Sequence, residues 1–103
     1  MKPLVVPPAA QRDASSIQML SAWIAESGLH CSIKVGMWKE QGHDEAKAWG
    51  ILLADVVRHI SNAVQEEHGV PSVETSDGIM RALSAEFEEP TSDATGSFSP
   101  GRS

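Results

Sequence analysis

The sequence predicts an α+β domain in which a β-hairpin packs against two C-terminal α-helices, in the order strand, strand, helix, helix. Three observations carry that reading. Apolar and polar residues alternate from Leu29 onward, helical periodicity runs through residues 44–68, and a shorter helical pattern ends at Pro90. With 103 residues, of which 41% are apolar and 21% charged, the chain suffices for one hydrophobic core and not for two.

Residues 1–14 read as an extended arm, proline-rich at first and polar afterwards, in which Leu4, Val5 and Val6 are placed to add a short N-terminal strand to a sheet edge. Residues 15–89 form the single α+β domain. Residues 90–103 are rich in Gly, Pro and Ser and poor in large apolar side chains, so ordering them gains little burial and a disordered tail is expected.

The hairpin is expected over residues 18–26 and 29–37 around a two-residue turn, Ser27-Gly28. That register sets Ile24 opposite Cys31, Ala22 opposite Ile33 and Leu20 opposite Val35, which makes one face wholly apolar. The other face carries Trp23 opposite Ser32, with His30 and Lys34 diagonal to it and Ile17, Met19 and Trp38 further along. A one-residue slip would mix the two faces, because side chains alternate with a period of two. A helix over residues 17–27 is the competing reading, with Ser15 or Ser16 as its cap and Gly28 as its left-handed end.

Asp44 and Glu45 suit the first turn of a long helix over residues 44–68, and His68-Gly69 suits its close. Its apolar stripe is Trp49, Leu52, Leu53, Val56, Val57, Ile60, Ala63 and Val64, a broad face suited to lying across a sheet. Ser72 or Thr75 can cap a third segment whose Ile79, Met80, Leu83 and Phe87 recur at helical spacing. Gly78 weakens its first turns by about 1 kcal/mol relative to alanine. A two-stranded hairpin leaves two open edges, which predicts self-association, as a homodimer or another homo-oligomer.

The net charge of -6, with its eight basic residues scattered along the chain, argues against nucleic-acid binding and against adsorption to anionic membranes. No apolar run exceeds four residues, so no membrane span is expected. The first ten residues lack the apolar core of an export signal, and Cys31, the single cysteine, allows no intrachain disulfide. Both favour a reducing, cytoplasmic setting.

Few residues suggest chemistry. Asp55 and His59 lie one turn apart on the long helix, where a carboxylate can orient an imidazole for acid–base work or the two can offer ligands to a metal. The ordinary alternative is a solvated pair at the rim of the core. His30 would reach the same region if the hairpin lay over the helix. Cys31 points to the apolar face, where a lone thiol is an inert small hydrophobe. His43 and His68 read as a loop residue and a partner for the helix dipole. Trp23, His30, Ser32 and Trp38 form the candidate interaction face, since tryptophan anchors are favoured at protein interfaces. A phosphate loop, a paired-cysteine motif, a nucleophile elbow and a dinucleotide fingerprint are all absent from the sequence, and no cofactor is expected.

The segments Ala22-Trp23-Ile24-Ala25-Glu26-Ser27-Gly28-Leu29-His30-Cys31-Ser32 and Ala48-Trp49-Gly50-Ile51-Leu52-Leu53-Ala54-Asp55-Val56-Val57-Arg58-His59 resemble a family of short alphaproteobacterial proteins, domain of unknown function 5076. The resemblance covers residues 15–92, including Glu89-Pro90-Thr91, and implies a bacterial cytoplasmic protein. It supplies no activity, ligand or catalytic residue. The functional expectation is therefore a non-enzymatic protein–protein interaction or regulatory module that self-associates and holds a protein partner. The rival is a small enzyme or metal-binding protein built around His30, Asp55 and His59.

Overall fold

The computed structural model describes residues 1–100. Its elements are α1 (Pro8–Arg12), β1 (Leu20–Ala25), β2 (Gly28–Val35), α2 (Met37–Glu40), α3 (Glu45–His68), α4 (Ser72–Glu88) and β3 (Gly96–Pro100). The class is α+β, and the hairpin and two long helices stand in the expected order. The helix alternative for residues 17–27 is not adopted, since β1 pairs antiparallel with β2.

The turn is where the hairpin departs from expectation. Ala25 pairs with Gly28, Ile24 with Leu29, Ala22 with Cys31 and Leu20 with Ile33, so the two-residue loop is Glu26-Ser27 and not Ser27-Gly28. Glu26 and Ser27 both take positive φ, 51° and 63°, as a type I′ turn requires, and such a turn matches the right-handed twist of its strands. Moving a two-residue turn back by one position changes every cross-strand partner by two. Side-chain parity is therefore preserved, and Leu20, Ala22, Ile24, Leu29, Cys31 and Ile33 share one face as expected.

The third strand comes from the opposite end of the chain to the one expected. Leu4, Val5 and Val6 enter no strand, and the arm instead forms the short α1. Residues 96–100, within the tail expected to be disordered, form β3 parallel to β2, with Ile33 beside Phe98 and Cys31 beside Gly96. Phe98 thereby joins the apolar face. Residues 101–103 of that tail lie outside the described residues. At Gly96, φ is 147°, and a side-chain Cβ there would run into the carbonyl of Cys31. Only glycine allows this approach.

β2 ends at Val35 because Gly36, at φ 98°, turns the chain into α2. Trp38 consequently sits in α2 and not on the hairpin face, and its ring meets that of Trp49 edge-on at 5.4 Å. α3 is capped as expected: Asp44 accepts from the backbone N–H of Lys47 at 3.1 Å, and Gly69, at φ 72°, donates to the carbonyl of Gln65 at 2.8 Å. α4 starts without a side-chain cap of its own, neither Ser72 nor Thr75 filling that role. The N–H of Ser72 instead donates to the Gln65 side chain of α3 at 2.9 Å, which satisfies one orphan donor and ties the two helices together.

α3 packs along α4 and does not lie across its own sheet; α4 faces the apolar side of the sheet over an open groove. Among the described residues no apolar side chain is fully buried, and Ser61 on α3, 2% exposed, is the only buried residue.

Candidate functional site

The groove is walled on one side by Leu29, Cys31 and Ile33 of the hairpin with Phe98 of β3, and on the other by α4, chiefly Leu83 and Phe87. Its volume is about 830 Å³. Strand alternation aims the first set at the groove, and spacing by four residues aligns the second along α4. The walls remain open to solvent: Leu29 is 60% exposed, Phe87 80% and Phe98 71%. Carboxylates lie at its margin, where Glu86 accepts from the N–H and hydroxyl of Thr91 at 3.0 Å and Asp93 precedes β3. Such a surface can bind hydrocarbon.

The interaction face expected from sequence is partly assembled. Trp23 lies directly opposite His30, both half-buried, and Ser32 lies opposite Ser21, whose hydroxyl accepts the indole N–H of Trp23 at 2.6 Å. Trp38 is elsewhere, in α2. Lys2, Leu4 and Val6 of the arm flank Trp23, yet Leu4 and Val5 are themselves largely exposed. The arm screens the tryptophan without forming a packed layer.

Asp55 does not orient His59. Its carboxylate pairs with Arg58 at 3.2 Å, both side chains being about three-quarters exposed. His59 is exposed too. Among the described residues no group of three or more His, Cys, Asp or Glu is placed to hold a metal, so His30, Asp55 and His59 are not gathered into a ligand set.

Glu45 is a densely hydrogen-bonded ionisable group. Its carboxylate accepts from the backbone N–H of Gly36 at 3.1 Å, from that of Lys39 at 3.0 Å and from the indole of Trp49 at 2.9 Å. The Gly36 bond is the main cause holding its carboxyl below the ordinary glutamate range; partial withdrawal from water opposes this, and the Lys39 and Trp49 bonds reinforce it. Glu45 acts as a structural clasp between the end of β2 and the start of α3. In the sequence Glu45 is legible only as a first-turn acid of the long helix.

The groove is not legible in the sequence, because half of its lining residues come from the tail after Glu89. The signal available was Ser97-Phe98-Ser99, a short alternation around the single large apolar residue after Pro90.

The family model for a domain of unknown function, DUF5076, matches residues 3–91. A solved structure from the photosynthetic bacterium Rhodopseudomonas palustrus CGA009, described as that of a "putative pyruvate dehydrogenase", is similar with a TM-score of 0.68 and 25% identity over 92% of each chain. No curated protein matches the chain.

Proposed function

Since the chain belongs to the DUF5076 family, whose description names no activity, we propose from the site itself that it is a non-enzymatic protein–protein interaction module that self-associates. One observation carries this reading: its apolar side chains line a groove and two helix faces, and among the described residues none of them is fully buried. A solvent-exposed apolar patch of this extent is an interaction surface, because leaving it in water costs roughly 25 cal/mol for every Å².

Pyruvate dehydrogenase activity, as in the description of the similar structure, is not part of the proposal. A small anionic keto acid has no cationic anchor in a groove of hydrocarbon walls with Glu86 and Asp93 at the margin. The single thiol, Cys31, suits a reducing compartment. Among the described residues no helix is long and apolar enough to cross a membrane.

Light scattering on the purified full chain tests the reading. The expected result is a mass of at least two chains at micromolar concentration; a mass of one chain up to the highest soluble concentration overturns it.

A further inference from the structure

We propose that the occupant of the groove is a second copy of this chain, and that the part of it which enters is the α3 seam of Leu53, Val56 and Ile60. The proposal rests on the interaction reading above and names the partner and its mode of docking.

A folded monomer of 11.0 kDa exposes about 5,600 Å². This chain exposes 8631 Å², an excess of about 3,000 Å² over that scaling. Its radius of gyration, 15.5 Å, likewise exceeds the roughly 13 Å of a compact chain of this length. Obligate homodimers bury about 1,000 to 2,500 Å² or more on each partner. The excess is of that size. A small apolar ligand filling about 830 Å³ of groove would leave the exposed face of α3 untouched.

Leu53, Val56 and Ile60 recur at a spacing of three and four, as a helix seam does, and are 44%, 39% and 44% exposed. No residue of α3 lines the groove. The chain thus holds an apolar sheet face that α4 opposes only across an open groove, and an α3 seam without a surface to cover. A two-fold axis resolves both at once: each α3 seam enters the other chain's groove, and the same contact forms twice. This is the reciprocity of a swapped dimer, in which a contact that one chain leaves unmade internally is made between copies.

Cys31, the only cysteine, lies in the groove wall and makes the contact testable. Val56→Cys, Leu53→Cys and Ile60→Cys are each made singly in the full chain and oxidised with copper phenanthroline, then separated without reductant in denaturant and mapped by mass spectrometry. The expected result is a two-chain species joined between Cys31 of one copy and the new cysteine of the other in at least one variant, absent from the unmodified protein. Intrachain linkage, linkage only between the two new cysteines, or no linkage at all three positions overturns the docking mode. Light scattering on the same samples separates the two levels: a dimer without the Cys31 link leaves self-association standing, whereas a monomer overturns both.

Discussion

The indole N–H of Trp49 donates to the Glu45 carboxylate at 2.9 Å, one helical turn back, while the same carboxylate accepts the backbone N–H of Gly36. A helix side chain thereby fixes where a strand ends. The lowered carboxyl of Glu45 gives this clasp a pH dependence. A group whose folded value is depressed contributes stability above its unfolded value, near pH 4, and loses it as the pH falls through the folded value. Glu45→Gln should therefore melt below the unmodified protein at pH 7, and the gap between them should narrow below about pH 4. Thermal melts at fixed protein concentration from pH 7 to pH 3 read this out. A gap that stays constant across the series would show that ionisation plays no part.

The hairpin turn carries strain that substitution can relieve. Glu26 and Ser27 both occupy the left-handed region, which glycine and asparagine enter at lower cost. Replacing the pair by Asn-Gly should stabilise the protein by about 1 kcal/mol, seen as a higher urea midpoint with an unchanged slope. A lower midpoint would mean that the Glu26 or Ser27 side chain contributes something beyond the turn.

β3 depends on one missing side chain. In Gly96→Ala the new methyl group collides with the Cys31 carbonyl, so β3 should leave the sheet and expose the groove wall that Phe98 supplies. The Cys31 N–H, which donates to the Thr95 carbonyl at 3.1 Å, should lose its protection from hydrogen exchange. Amides in the middle of α3 should keep theirs. Equal loss in both places would mean that β3 is integral to the whole fold.

Asp55 is expected to be dispensable. An ion pair with Arg58 that stands in water contributes about 0 to 1 kcal/mol, so Asp55→Ala should shift stability by no more than that and leave the oligomer mass unchanged. A large loss of either would reinstate Asp55 as part of a site. The same experiment on His59→Ala tests the rest of that pair.

Much of the chain was legible because its signals are local. The long α3 follows from the spacing of Leu52, Val56 and Ile60, its start from Asp44 and its end from Gly69. The division of the hairpin into an apolar and a polar face follows from alternation, and it survived the misplacement of the turn because the error amounted to a whole period. Trp23 and His30 were correctly placed on one face. Trp38 was not, since the alternation past Val35 gave no sign that Gly36 would turn the chain into α2.

The sequence by itself determined the two long helices and, for a hairpin, which side of each strand is apolar, since these follow from spacing along the chain and from residues that cap or break it; the short α2 left no such signal. The tertiary structure alone decided which apolar sides meet. It drew Phe98 into the sheet, because the hydrogen bonds of β3 come from β2, more than sixty residues away, and leave no trace in its own spacing. It also set α3 along α4 and away from the sheet. An apolar stripe is attracted to hydrocarbon without regard to whose it is, so periodicity specifies that a surface must be covered and only three-dimensional placement specifies by what.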